Sequence, residues 1–160
     1  MRALHVGNNN KLRTYALFKR ECCFEPYLIV IRNVHKRTCL SRFRMGVSML
    51  RIETGRYEAN GTCGSHGIHV NMRVCLFCSL SKVEDEIHFS LECPLYLDLR
   101  RRLLSVAEES LLLSSLSIEG KFQAIMSSRC ELVCKALGEL CGPLFCGVVD
   151  SLNCFSFSNI

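Results

Sequence analysis

The stretch that decides the reading is "VCLFCSLSKVEDEIHFSLECPLY", residues 74–96, which holds Cys75, Cys78, His88 and Cys93 in the pattern C-x2-C-x9-H-x4-C. Two cysteines separated by two residues wrap a tight turn that aims both sulfurs at one point and leaves the turn's amides free to donate to thiolates. The following "VEDEIHFSLEC" predicts a brief helix: Glu84, Asp85 and Glu86 suit its positive end, and Ile87 and Leu91 share one face. His88 is then offered from the adjacent face and Cys93 from the helix end, where Pro94 stops the turn. Three thiolates and one imidazole close a tetrahedral set around Zn2+, which is structural rather than catalytic coordination. Two competing readings stay open. Cys75 and Cys78 can be small buried hydrophobes with His88 a satisfied histidine, and a rival donor set can draw on Cys63, His66 and His69 in the glycine-rich loop before the motif.

Outward from this motif the pattern is helical. Residues 11–22 place Leu12, Tyr15, Ala16 and Phe18 opposite Lys11, Arg13, Lys19 and Arg20, as in an amphipathic helix that Pro26 interrupts. "YLIVI" after that proline reads as a helical segment or, alternatively, as a short buried strand. Residues 35–47 form a basic helix with Cys39, Leu40, Phe43 and Val47 as its apolar positions and an end near Gly46. Residues 53–71 hold Gly55, Gly61, Gly64 and Gly67 without a sustained period and predict a loop. Pro94 opens a long helix with Leu95, Leu99, Leu103 and Val106 on one face. Helical patterns at residues 117–127 and 129–140 follow, and periodicity is lost from Gly142 onward. The fold class is therefore mainly α: a small helical domain built around a zinc-binding turn-helix element. Its organisation is a basic helical segment (1–57), the loop, motif and following helix (58–107) and a helical C-terminal tail (108–160), expected to form one compact unit.

Charge is distributed unevenly. Residues 1–57 carry 12 Lys/Arg against 3 Asp/Glu, whereas residues 58–160 carry 8 against 12. A basic half facing a polyanion such as RNA or DNA produces this asymmetry, and so do two mutually attracting faces of one fold. In the first case Lys36, Arg37, Arg42, Arg44 and Arg51 are the candidate phosphate contacts, strong at low salt and blind to sequence. In the second they cover a solvated helix face or meet a protein partner. The 12 cysteines do not signal a secreted chain, because the first residues lack an apolar core and a small-residue cleavage site. An intracellular location, nuclear or cytoplasmic, is expected. The apolar stretch at 132–149 is broken by Lys135, Glu139 and Gly142-Pro143, so it reads as buried helix and not as a membrane span.

Catalytic signatures are lacking. The sequence has no Ser-based nucleophile elbow, phosphate-cradling Gly-Lys-Ser/Thr loop or dinucleotide fingerprint. The carboxylates at 84–86 are explained by an acidic first helical turn. No catalytic residues are assigned.

"RFRMGVSMLRIETGRY" followed by "RVCLFCSLSKVEDEIHFSLECPLYLDLRRRL" resembles the zinc-binding region that follows the polymerase in reverse transcriptases of LINE-type, non-LTR retrotransposons. "EDEIH" and "CPLY" are the most telling matches. The resemblance carries Cys75, Cys78, His88 and Cys93 as ligands and Arg44, Gly46, Gly55, Arg56 and Arg73 as framework positions, from about Lys11 to about Ala107. It implies a module that assists nucleic-acid binding by a larger enzyme. The paired aspartates of a polymerase are absent, since Asp85, Asp98 and Asp150 are the chain's only aspartates, so the resemblance implies a non-catalytic piece. The alternative is a zinc-stabilised structural or protein-interaction scaffold.

Overall fold

In the computed structural model the chain is described at residues 12–19, 21, 23–58 and 67–145. It is mainly helical, with no strand among the described residues. Seven α-helices run in order: α1 (Arg13–Phe18), α2 (Tyr27–Val30), α3 (Val34–Arg44), α4 (Arg51–Thr54), α5 (Leu97–Leu111), α6 (Ile118–Ser127) and α7 (Glu131–Leu144). The metal motif lies between α4 and α5.

Local chemistry sets the ends of these helices. Asn33 caps α3, its side-chain oxygen accepting the Lys36 amide at 3.0 Å. The same helix closes on Gly46, whose φ of +70° suits a residue without Cβ. There the amides of Gly46 and Val47 donate back to the carbonyls of Phe43 and Arg42. Ser117 caps α6 through the Gly120 amide at 3.1 Å. α5 ends differently, on Leu112 in the left-handed conformation at φ +49° with its side chain 78% exposed.

The central packing joins α3, the motif and the C-terminal helices. Phe43 of α3 meets Phe89 at 5.5 Å between ring centroids, and Phe89 meets Tyr96 at 4.7 Å. All three rings are fully buried. α7 packs against α2, α3 and α5. Lys36 pairs with Glu139 and Arg42 lies over Phe145, so α3 and α7 run side by side in the same direction. α1 rests on α6 through Phe18 and Phe122, 6.4 Å apart.

Of the two readings of "YLIVI" the helical one holds, over Tyr27–Val30 with Pro26 at its cap. Two expectations change. The region read as loop from residue 53 includes the end of α4 and a single 3₁₀ turn at Val70–Met72, because Leu50 and Ile52 are buried and pull that backbone into a turn. α7 does not stop near Leu140 but runs through Gly142 and Pro143 to Leu144. In a last turn proline removes only one amide, and continuing the helix keeps Cys141 and Leu144 buried. No helix among the described residues is long and apolar enough to cross a membrane.

Leu112→Gly is expected to stabilise the protein by about 1 kcal/mol, since it relieves a left-handed non-glycine residue whose side chain packs little. Thermal unfolding of the two proteins checks this, with the variant melting higher.

Candidate metal centre

The first two donors sit on a small hairpin. Val74 and Val83 form an isolated antiparallel bridge. The Cys75 amide donates to the Lys82 carbonyl at 2.8 Å and the Glu84 amide to the Arg73 carbonyl at 2.9 Å. Between them the chain turns back on itself with Ser81 at φ +52°, so Cys75 and Cys78 face inward from one tip. The Phe77 amide points at the Cys75 sulfur and the Leu95 amide at the Cys93 sulfur, the donor arrangement that a thiolate needs.

The other two donors depend on an unusual turn. The segment expected as ordinary helix starts at Glu86 and becomes π-helical over His88–Glu92, closing with the Cys93 amide on the His88 carbonyl at 2.7 Å. Residues five apart on an α-helix point about 140° away from one another. The wider π turn brings them to one side, which lets His88 and Cys93 face the same point. The five-residue spacing was the available signal, and a regular helix reading misses it.

Together the four donor atoms lie within 4.8 Å of one another. Cys75 Sγ is 3.9 Å from Cys93 Sγ, and Cys78 Sγ is 3.4 Å from His88 Nε2. Tetrahedral coordination with metal–sulfur bonds near ~2.3 Å and a metal–nitrogen bond near ~2.0 Å separates donors by roughly 3.5–3.8 Å. The two closest pairs match that spacing and the whole set lies within an ångström of it, so the four donors are grouped where one metal ion could be held. Cys75, His88 and Cys93 are buried and Cys78 is partly so. Burial pushes the Cys75 and Cys93 thiols up despite the two amides, Cys75 well above its ordinary range. Of the rival set, Cys63 and His66 lie outside the described residues, and His69 is exposed and apart from the cluster.

A polar shell holds the donors. Glu92, four residues after His88, places Oε2 3.6 Å from His88 Nδ1 and pairs through its other oxygen with Lys82. At that distance the carboxylate faces the imidazole from the side away from the other donors without a hydrogen bond, and Nδ1 is buried with no hydrogen-bond partner. Arg73 donates to the carbonyls of Ile68 at 2.8 Å and Ile52 at 2.6 Å, tying the hairpin to α4. Its stem passes so close to Gly55 that a Cβ there would stand 2.8 Å from Arg73 Cγ. Of the acidic run expected in a first helical turn, Asp85 serves that helix start, while Glu84 and Glu86 serve other partners. Glu84 is buried and accepts the Arg51 amide at 3.0 Å, capping α4; Asp85 accepts the His88 amide at 2.8 Å; Glu86 is buried against the Arg13 guanidinium. Burial raises the pKa of all three, outweighing Arg51 at Glu84 and Arg13 at Glu86.

The five candidate phosphate contacts do not form one free face. Arg44 is 4% exposed and sits on the inward side of α3 with Leu40 and Phe43. It donates to Glu25 at 2.9 Å and to the Met126 carbonyl, between the rings of Phe18 and Tyr27. Its assignment as a phosphate contact is thereby corrected. Arg51 is engaged with Glu58 at 3.0 Å, and Arg37 with the carbonyls of Leu28 and Ile31 at 3.3 Å each. Lys36 lies 3.6 Å from Glu139 and stays half exposed, while Arg42 is exposed over Phe145.

No family model matches this chain, and neither a curated protein nor a solved structure proves similar to it.

Metal uptake is expected to expel about three protons per ion near neutral pH, because three thiols must ionise to bind and burial holds those of Cys75 and Cys93 protonated. The apparent affinity should accordingly rise with pH, and calorimetry in buffers of different ionisation enthalpy measures the proton count. A count near zero would mean that the thiols are not the donors.

Proposed function

We propose that this chain is a non-catalytic, zinc-stabilised helical module of the kind that follows the polymerase in LINE-type reverse transcriptases, and that its zinc is structural. The observation that carries the reading is the closed donor set: Cys75, Cys78, His88 and Cys93 use all four tetrahedral positions, so a bound ion has no open position for water or substrate. Zn2+ suits three thiolates and an imidazole, having no geometric preference of its own and a borderline-soft character. The framework positions support the same reading. Gly46 supplies a left-handed turn, Gly55 lets Arg73 pass, and Arg44 and Arg73 are buried tethers.

Within this reading the ion joins the hairpin to the π turn, and the module's work is to hold a shape that a larger assembly uses. Contact with RNA or DNA is the second reading, and it rests on the exposed Arg42 and half-exposed Lys36 of α3. With Arg44 buried and Arg51 paired, that face offers few phosphate contacts and therefore a shallow salt dependence.

Removal of zinc by a chelator is expected to lower the melting temperature by more than 10 °C, on the order of the several kcal/mol that a structural zinc site contributes. Cys78→Ser should melt at the chelated temperature with or without zinc. A parent protein whose melting ignores both zinc and chelator refutes the structural-zinc reading. For the second reading, a single-strand titration across a salt series is decisive: Arg42→Ala should reduce the salt slope by roughly one unit if that face meets phosphates. An unchanged slope leaves the scaffold reading alone.

A further inference from the structure

Arg100 stands in the first half of α5, seven residues after Cys93, and is 5% exposed. Its Nη1–H donates to the Cys93 carbonyl at 2.6 Å, and its Nε is buried without a partner. Among the described residues it forms no ion pair with a carboxylate. The other buried arginines have more direct partners: Arg44, whose Nε is likewise unpartnered, has the Glu25 carboxylate and the Met126 carbonyl, and Arg73 places both Nε and Nη1 on carbonyls. The Glu92 carboxylate and the Cys93 thiol act on the Arg100 charge without an ion pair at contact distance, and a buried cation short of a direct counter-charge and of full hydrogen bonding calls for a nearby anion.

The metal centre supplies one. A divalent cation held by three thiolates and a neutral imidazole carries one net negative charge. Building on the zinc reading above, we infer that Arg100 is the counter-cation of the metal–thiolate centre and the positioning residue for Cys93. The guanidinium fixes the main chain of that ligand through its carbonyl, and its charge balances the centre once the ion is bound. α5 thereby becomes coupled to the metal: the helix carries the balancing charge, although it carries none of the ligands. The neighbouring Arg101 and Arg102 are exposed and pair with Asp98 and Glu139, which leaves Arg100 as the arginine of this run turned inward.

The test is a competition titration of the full chain with zinc and cobalt against a chromophoric chelator. Arg100→Met, of similar reach but uncharged, should lower metal affinity about 10- to 100-fold, the range for loss of an outer-shell partner. Arg100→Lys, which keeps the charge, should restore affinity to within about tenfold of the parent. Arg101→Met serves as the exposed control and should bind as the parent does. The thiolate-to-cobalt absorption should shift in Arg100→Met and stay in place in Arg100→Lys, which a purely structural role would not produce. Should Arg100→Met fail to fold at saturating zinc, the comparison is made between Arg100→Lys and Arg100→Gln. Equal affinity in charged and uncharged variants overturns the inference while leaving the zinc reading intact. A parent that takes up no metal overturns the zinc reading itself.

Discussion

The hydrogen bond from the Cys93 amide to the His88 carbonyl is the constraint on which the centre depends. It closes a turn one residue wider than an α-helix and so converts a five-residue spacing into a shared direction. Without it His88 and Cys93 would face different sides, and the hairpin tip carrying Cys75 and Cys78 would meet one donor instead of two. The turn is held from both flanks. Asp85 accepts the His88 amide before it, and Pro94 begins a 3₁₀ turn after it that leads directly into α5. Phe89, buried within the turn, binds the same segment to Phe43 and Tyr96, so the geometry of the donors and the packing of the core are set together.

Arg44, Arg73, Glu84, Glu86 and Arg100 are buried charged residues, and ion pairs join distant parts of the chain. Arg13 reaches Glu53 and Glu86, and Lys36 reaches Glu139, so basic side chains of the first part meet acids of the second as well as their own. Glu25 shows how a partly buried acid is accommodated: desolvation pushes its pKa up, but Lys19, Arg44 and the Tyr15 hydroxyl outweigh this and hold it below the ordinary carboxylate range. Much of the basic excess of the first 57 residues is thus engaged inside the fold. Arg13 and Arg51 pair with acids beyond residue 57, whereas Arg44 and Arg56 pair with acids of their own part.

The parts legible in the sequence were those governed by short-range rules. The helical period of residues 35–47 and 94–110 and the C-x2-C turn follow from local chemistry, and the four donors stand out by spacing. What the sequence concealed depends on partners distant along the chain. Arg44 resembles any other basic helix residue until Glu25, Phe18 and Tyr27 are seen around it. Glu84 and Glu86 fit a solvated helix end by composition, yet they serve α4 and Arg13 across gaps of 33 and 73 residues. The end of α7 was hidden because Gly142-Pro143 is a stop signal by propensity, whereas burial of Leu144 keeps the turn helical. Glu92 had a local signal, four residues beyond His88, that gains meaning only when the imidazole is read as a ligand.

The central claim is that one divalent ion is enclosed by three sulfurs and one nitrogen of this chain. X-ray absorption at the zinc edge of the purified full-length protein, with metal content measured on the same sample, tests it most directly. The account predicts one zinc per chain, three sulfurs near ~2.3 Å, one nitrogen near ~2.0 Å and no oxygen neighbour. A water or carboxylate oxygen in the coordination shell, fewer than three sulfurs, or a protein that folds without metal and binds none would contradict it.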